Sequence, residues 1–156
     1  TKAGFVKDNR GLTYYLDEKG NKVIGLHEIN GDLYYFRRGG AYKYTQLGDM
    51  WQDSINYIDG KIYYFGHDGR AIKNRFYQWG NYWYYFYADG SAATGAVQIN
   101  GQQLYFDKNH GRQVKGAFAP DGHYYDENSG ELVTNQTRTI KGVTYHFDEN
   151  GNATKV

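Results

Sequence analysis

An aromatic triplet that returns about every twenty residues constrains the fold of this chain more than any other feature. Its copies lie in the segments TYYL, LYYF, IYYF, WYYF, QLYF and TYHF, with HYYD as a degenerate seventh copy. The middle residues are Tyr15, Tyr35, Tyr64, Tyr85, Tyr105, Tyr124 and His146, spaced by 20, 29, 21, 20, 19 and 22 residues. The long step contains the insertion AYKYTQLGDMWQDSINY. A period of this length is typical of repeat folds, so we treat residues 1–156 as a single repeat module.

Turn-forming residues bracket each triplet. The dipeptides before the triplets include Asn30-Gly31, Asp59-Gly60, Asn100-Gly101 and Asp121-Gly122, and a glycine follows each copy. Asn-Gly and Asp-Gly tolerate the positive φ angles that two-residue hairpin turns require. No segment shows a sustained 3.6-residue apolar period. The sequence therefore predicts an all-β fold, a β-solenoid of stacked two-stranded β-hairpins with one hairpin per repeat of about 20 residues.

The alternation inside the triplet predicts two environments. Its outer positions, for example Leu104 and Phe106, share one strand face and carry the large apolar residues of a packed interior. The middle position holds Tyr in six copies and His in one, so we expect it at a half-exposed seam. The chain contains 18 tyrosines, so their rings must provide much of the area that is buried in the interior.

Charge and composition exclude several classes of function. The net charge is +1, and basic residues stand singly apart from Arg37-Arg38, which disfavours binding to nucleic acid. No apolar run reaches the length of a membrane span, so we expect no membrane insertion. The chain begins at Thr1 without a signal peptide, which favours a piece excised from a longer protein. It has no cysteine, which is compatible with a cytosolic protein or with a secreted protein that folds without disulfides.

The acidic residues and histidines do not form a catalytic or metal-binding pattern. Asp17, Asp107, Asp126 and Asp148 each begin a turn, where an aspartate caps its own backbone. A calcium loop that opened at Asp126 would need its terminal glutamate where Thr137 stands. The histidines are dispersed, and no nucleophile motif or phosphate loop is present. We predict a binding module with no catalytic residue, no metal and no cofactor.

One repeat carries a distinctive set of polar residues. A five-residue turn at 107–111 is predicted to place Tyr105 opposite Gln113, with Gln113 and Lys115 on one face of the return strand. The result would be an aromatic ring beside an amide and an ammonium group. Such a ring can stack on a pyranose while the polar groups bond its hydroxyls, so the set predicts a saccharide platform.

The segment TGAVQINGQQLYFDKNHGRQVKG, from Thr94 to Gly116, resembles the YG-type, cell-wall-binding-like repeats in the C-terminal glucan-binding domain of glucansucrases. The resemblance covers nearly the whole chain and is weakest across the insertion before Tyr57. It implies shallow pockets between neighbouring hairpins that bind α-glucan, such as dextran or isomalto-oligosaccharides. It also implies a secreted or cell-surface location and a covalent link to a parent enzyme that acts on sucrose.

Carried onto this sequence, the resemblance assigns Tyr105, Gln113 and Lys115 to the main pocket. We add Tyr85, Thr94 and Tyr124 as flanking glucan contacts, and Tyr64 with Lys73 as a weaker second pocket. Other copies depart from the pattern at the positions of Gln113 and Lys115. They carry Lys22 and Ile24, Ala71 and Lys73, Ala92 and Thr94, Leu132 and Thr134, or Ala153 and Lys155. We therefore expect one good pocket.

Three alternatives remain open from the sequence. Choline-binding modules have a similar repeat, but their cationic ligand favours cages rich in Trp, and this chain has three Trp residues. The repeats also resemble the receptor-binding arms of large glucosylating toxins. Finally, the repeats could form a purely structural spacer in which no pocket is occupied.

Overall fold

The computed structural model describes residues 3–39 and 47–156, and its regular elements are all β-strands. Part of the predicted insertion, residues 41–46, lies outside the described residues. In chain order the strands are β1 (Gly4–Lys7), β2 (Thr13–Leu16), β3 (Gly25–Ile29), β4 (Asp32–Phe36), β5 (Ser54–Ile58), β6 (Lys61–Phe65), β7 (Arg75–Trp79), β8 (Tyr82–Phe86), β9 (Gly95–Ile99), β10 (Gln102–Phe106), β11 (Ala117–Phe118), β12 (Tyr124–Tyr125), β13 (Gln136–Ile140), β14 (Val143–Phe147) and β15 (Ala153–Lys155).

Each odd-numbered strand from β1 to β13 pairs with the strand that follows it, and β15 adds to the last pair. Three of the four predicted turns have positive φ at both residues, as at Asn100 (52°) and Gly101 (80°). This conformation matches the twist of a hairpin. The exception is the turn of β11–β12, where only Gly122 has a positive φ and the Asp121 carboxylate accepts a hydrogen bond from the backbone of His123.

The segment after a hairpin bonds back to the middle residue of the triplet. Six carbonyls accept such a bond, at Tyr15, Tyr35, Tyr64, Tyr85, Tyr105 and Tyr124. In four repeats the residue just before that donor makes a second bond, in which its backbone N–H donates to a carbonyl of the hairpin one repeat earlier. The four bonds run from Met50 to Thr13, from Ala71 to Leu33, from Gln113 to Trp83 and from Leu132 to Gln103. These bonds tie consecutive repeats together and satisfy strand edges that would otherwise be open.

The chain divides into two compact units. The first comprises residues 1–75 and 86–91, and its core contains the rings of Tyr35, Tyr63 and Phe65. The second comprises residues 76–85 and 92–156, and one of its clusters contains Leu104 and Phe106. Within each unit the repeats form an all-β, solenoid-type arrangement of hairpins, which confirms the predicted fold class.

Burial confirms the prediction for the outer triplet positions and overturns part of the prediction for the middle one. Leu104 and Phe106 are buried, as expected. However, Tyr35, Tyr64, Tyr105 and Tyr124 are also buried, with 2 to 6% of their surface exposed. Only Tyr15 and Tyr85 are half-buried, and His146 is exposed. The expectation of a half-exposed seam is wrong for the four buried tyrosines, because neighbouring repeats pack on both faces of the strand; Tyr105, for example, packs on Ala119 and Tyr125.

The predicted aspartate caps are present at all four turns. Asp17, Asp126 and Asp148 each accept two backbone hydrogen bonds of 2.8 to 2.9 Å from their own turns, and Asp107 accepts one from His110. These bonds satisfy backbone donors that the turn leaves unpaired. Within residues 3–39 and 47–156, no group of three acidic or histidine side chains is placed to hold a metal ion. The described part of the chain also lacks any helix with the length and apolarity of a membrane span.

Candidate functional site

A pocket of about 300 Å³ lies in the second unit, around the residues that the sequence singles out. Gln113 and Lys115 both line it, which confirms that they share a face. The remaining lining residues are Phe76, Trp83, Gln102, Leu104 and Ser129. Three segments therefore meet here: the hairpin β7–β8, strand β10 with its following linker, and the loop after β12.

The aromatic partner of Gln113 is not the predicted one. Gln113 pairs with Phe106, and the Tyr105 carbonyl instead accepts a 2.8 Å bond from the N–H of Val114. The predicted register is therefore wrong by one residue, and a shift of one residue moves a side chain to the other face of a strand. The ring of Tyr105 is 2% exposed and packs against Tyr125 with a centroid distance of 5.7 Å. It offers no open surface to a ligand.

Trp83 supplies the exposed ring. The N–H of Gln113 donates a 2.8 Å bond to the Trp83 carbonyl, which fixes the linker beside strand β8. The Lys115 Nζ lies 5.4 Å from the centroid of the Trp83 ring, within range of a cation–π contact. The Trp83 side chain is 36% exposed, so part of its surface faces solvent. The pocket thus joins a flat ring to an amide that donates and accepts and to an ammonium that donates.

The loop after β12 forms the opposite wall of the pocket. The Lys115 Nζ is 3.5 Å from the carbonyl oxygen of Asn128, and Ser129 lines the pocket. A Cβ added at Gly130 would lie 2.3 Å from Gln113 Nε2, so only glycine lets this loop approach the amide so closely. Gly130 also has a φ of +75°, a conformation that glycine adopts at low cost.

Asp126 holds that loop in place. Its carboxylate accepts backbone bonds from Asn128 and Ser129, both at 2.8 Å, and pairs with the Arg138 guanidinium at 2.8 Å. The backbone N–H groups of Ser129 and Asn128, supported by Arg138, lower the pKa of Asp126 to about 2. The carboxylate therefore stays ionised, and the loop stays capped, at any pH well above that value.

The other predicted site residues lie outside this pocket. Tyr85 packs edge-on against Phe76, with 4.8 Å between ring centroids, and so supports the wall from behind. Thr94 is exposed and stands at the position of Lys115 in the preceding repeat. Tyr124 is buried against Val133 and Phe147. Whether these residues contact a ligand stays a prediction.

The predicted second pocket, at Tyr64 and Lys73, is not open. Tyr64 is 6% exposed. The Lys73 Nζ donates to the Gly31 carbonyl and lies 3.8 Å from the Asp32 carboxylate. Its ammonium is therefore engaged within the protein, although the residue occupies the repeat position of Lys115.

Sequence reasoning missed Trp83, although a signal for it exists. The linker bond that reaches Trp83 reaches Thr13, Leu33 and Gln103 in other repeats. Of these four positions, only that of Trp83 holds an aromatic residue. Comparing the residue just before each triplet, two positions before its middle residue, would identify Trp83, but only once the linker register is known.

A second pocket in the same unit contains three aromatic residues among its lining side chains. It has a volume of about 370 Å³ and is lined in part by Phe118, Tyr124 and Tyr145. The ring centroid of Phe118 lies 5.2 Å from that of Tyr124 and 5.3 Å from that of Tyr145. Phe118 is 40% exposed. The cationic side chain of Lys141 also lines this pocket.

Two repeat families match the chain. The choline-binding repeat matches residues 93–136, which contain the pocket residues Gln113 and Lys115. The cell wall binding repeat matches residues 3–22, 74–92 and 138–153. The chain therefore consists largely of repeats of this kind.

Curated relatives give a more specific relationship. The chain is 39% identical over 155 residues to glucosyltransferase-S of Streptococcus mutans serotype c, and 37% identical over 156 residues to glucosyltransferase-I of Streptococcus downei. Each match covers 96% of this chain but only 10% and 9% of those proteins, so the chain spans about a tenth of their length. The predicted resemblance to glucosyltransferase repeats is confirmed.

Among solved structures, choline binding protein F from Streptococcus pneumoniae has a similar fold. The TM-score is 0.78 at 28% identity, over 98% of this chain and 48% of that one. This similarity supports the observed arrangement of two-stranded hairpins.

Proposed function

We propose that this repeat segment, a homologue of part of the streptococcal glucosyltransferases, is a non-catalytic module that binds α-glucan of the dextran type. The pocket of Trp83, Gln113 and Lys115 carries the proposal, because it combines a solvent-exposed ring with two hydrogen-bonding side chains. The weakly polarised C–H face of a glucose unit stacks on the ring, while Gln113 and Lys115 bond its hydroxyl groups.

The electrostatics of the pocket fit a neutral, hydroxylated ligand. Lys115 is the one ionisable side chain among the lining residues of this pocket, and its charge lies against the Trp83 ring and the Asn128 carbonyl. An ammonium placed there donates to sugar oxygens without needing an anionic partner. A strongly anionic polymer would require more cations than this pocket holds.

A single shallow pocket of this kind binds in the millimolar range, about −4 kcal/mol. A polymer with many equivalent glucose units raises the effective concentration at the site. We therefore propose that the module retains glucan close to a parent glucosyltransferase, outside the cell or at its surface, and that catalysis takes place elsewhere in that parent.

Affinity electrophoresis in gels with and without dextran tests the proposal. We expect dextran to retard the native protein, and we expect Trp83→Ala and Lys115→Ala to lose that retardation while they keep the native circular dichroism spectrum. Lys155→Ala is the matched control, because it removes the same charge at the same repeat position of another copy. If dextran changed the mobility of none of the four proteins, α-glucan binding at this pocket would be rejected.

Binding of choline-bearing wall polymers is a second candidate, favoured by the aromatic pocket of Phe118, Tyr124 and Tyr145. Such a pocket attracts a quaternary ammonium through cation–π contacts. Titration with choline, followed by the fluorescence of the native protein and of Phe118→Ala, separates the two candidates. A saturable response that Phe118→Ala abolishes supports choline; no response to choline beside a response to dextran leaves glucan as the ligand.

A further inference from the structure

The first unit contains a pocket of about 520 Å³ that the proposed glucan site does not use. Its polar lining comes from five side chains of one linker and the strand that follows it: Arg37, Asp49, Gln52, Ser54 and Asn56. Trp51, Met50 and the backbone of residues 11–13 complete it. The pocket is larger than the one around Trp83 and far richer in hydrogen-bonding groups.

A reversed charge pair builds one side of this pocket. Arg37 follows the aromatic triplet, at the position where Asp107 caps its turn in another repeat, and Asp49 stands at the position of Arg112. Corresponding backbone bonds join Arg37 to Asp49 and Asp107 to Arg112, so the two residues of each pair hold equivalent positions with the signs of their charges exchanged. The Arg37 Nε donates a 2.8 Å bond to Asp49 Oδ1.

Both members of that pair are largely shielded from water. The side chains of Arg37 and Asp49 are 16% and 6% exposed. Buried ions paired in this way neutralise each other, so the pocket presents fixed dipoles and hydrogen-bonding groups rather than a net charge. A neutral ligand rich in hydroxyl groups matches this lining better than an ionic one does.

The indole N–H of Trp51 is an independent indication of a ligand site, because it has no hydrogen-bond acceptor among the described residues. Trp51 stands where other repeats have the smaller residues Val23, Ile72, Ala93, Val114 and Val133. Its ring packs on Tyr35 with a centroid distance of 4.4 Å, and Arg37 lies over it at 5.4 Å. Among the residues that the structure describes, its indole Nε1 is buried without a hydrogen-bond acceptor. Buried donors are normally paired, so an acceptor oxygen supplied by a ligand would satisfy this one.

We infer that this pocket is a second saccharide-binding site, formed by Trp51, Asn56 and the Arg37–Asp49 pair. The Asp49 carboxylate accepts from sugar hydroxyls, the Asn56 amide both donates and accepts, and the Trp51 N–H donates to a sugar oxygen. The choice of a saccharide as the ligand class rests on the proposed function, whereas the site itself rests on the pocket, the buried pair and the unpaired indole.

The indole N–H signals of the three tryptophans in a ¹⁵N-labelled sample report on the two sites separately. Trp51 belongs to the new site, Trp83 to the proposed glucan site, and Trp79 is a reference. Trp51→Phe and Trp83→Phe assign the signals. The probe is isomaltotriose, titrated to about 50 mM, well above the millimolar Kd of a single shallow site. We expect saturable shifts of the Trp51 signal.

Asn56→Ala is the test variant, because among the described residues its side-chain amide bonds only to Ser54. We expect it to weaken the Trp51 titration about tenfold and to leave the Trp83 titration unchanged. Thr139→Ala is its matched control, since it removes a small polar side chain whose hydroxyl bonds, among the described residues, only to Thr144 on the neighbouring strand.

The outcomes separate the two hypotheses. Shifts at Trp51 that Asn56→Ala weakens support the second site, even if Trp83 does not respond and the proposed glucan site fails. Shifts at Trp83 alone, or Trp51 shifts that are unchanged in Asn56→Ala, overturn the second site, and the proposed function stands in either case if Trp83 responds. The absence of any saturable shift overturns both.

Discussion

Two repeats of this protein carry a lysine at the same position and use it in different ways. Lys115 faces a pocket beside Trp83 and Gln113, whereas Lys73 is held by the Gly31 carbonyl and the Asp32 carboxylate. The comparison indicates that a lysine in the repeat pattern does not make a site. The residues around it decide whether the lysine lines an open pocket or is held against a carbonyl and a carboxylate of the protein.

The neighbours of the two lysines explain the difference. Where Trp83 and Gln113 stand in one repeat, the other has Leu33 and Ala71. A Cβ added at Gly90 would meet Leu33 and Ala71 at 3.3 to 3.4 Å, so short apolar side chains fill this space. Around Lys115, the larger ring and the amide keep a pocket open between the hairpins. Apolar packing and binding are thus alternative uses of the same position.

Conversion of one repeat into the other should have the largest effect. Trp83→Leu with Gln113→Ala gives the Lys115 repeat the neighbours that Lys73 has, while Lys115 itself is retained. We expect binding of isomaltotriose to fall at least tenfold, a loss of about 1.4 kcal/mol or more, because the stacking surface and the amide are both removed. Isothermal titration calorimetry measures the change. Unaltered affinity would mean that Lys115 alone suffices.

Gly130→Ala should produce the next largest effect. The added methyl group would lie 2.3 Å from Gln113 Nε2, and the backbone has a positive φ. We expect a loss of about 2 kcal/mol in the free energy of unfolding, together with weaker glucan binding, because the amide must move.

Gly101→Ala is the matched control for this substitution. Gly101 also has a positive φ, of +80°, but a Cβ there meets no atom within 4 Å. We expect it to cost about 1 kcal/mol in urea denaturation and to leave binding unchanged. If both variants bound glucan equally well, the close approach of Gly130 to Gln113 would have no role in the pocket.

Asp126→Asn should lower stability in a pH-dependent way. The pKa of Asp126 is lowered to about 2, so the stabilisation by its carboxylate is fully present above about pH 4 and is lost as the pH falls towards 2. We expect the variant to be less stable by about 1 kcal/mol at pH 7, because solvent screens this partly exposed group, and the gap to close near pH 2.

Urea denaturation at both pH values measures this difference. Asp148→Asn is the control, because Asp148 caps a similar turn that lines no pocket described here. Both variants should lose stability, but only Asp126→Asn should also weaken glucan binding. A stability difference that persisted unchanged at pH 2 would contradict the assigned role of the carboxylate.

Lys73→Ala should have the smallest effect. Its ammonium bonds within the protein at a partly exposed position, so we expect a change of a few tenths of a kcal/mol in stability and none in glucan binding. Dextran gel mobility and urea denaturation check both expectations. Loss of retardation in Lys73→Ala would restore the second pocket that the sequence predicted.

Local chemistry made most of the fold predictable. The dipeptides Asn30-Gly31, Asp59-Gly60 and Asn100-Gly101 have the positive φ angles that their residue types favour. Asp17 and Asp126 cap their turns as expected, because the acceptor and the donors lie within four residues of each other. Each of these features depends on neighbours in the sequence, which the sequence displays directly.

The site was only partly predictable. Gln113 and Lys115 share a face because they are two residues apart, a relation that any strand preserves. The assignment of Tyr105 failed because it depended on the pairing of two strands across a turn, where a shift of one residue exchanges the faces. Trp83 was missed because it lies thirty residues away in the chain.

By itself, the sequence determined the repeat period, the hairpin turns, their aspartate caps and the pair Gln113 and Lys115, since all of these follow from interactions between near neighbours. The tertiary structure alone decided which tyrosines are buried and which ring faces the pair. Those outcomes depend on the hydrogen bonds from four of the linkers to the hairpin of the preceding repeat, such as the bond from Gln113 to Trp83. Packing of one repeat on the next buries Tyr105 and leaves Trp83 partly open to solvent.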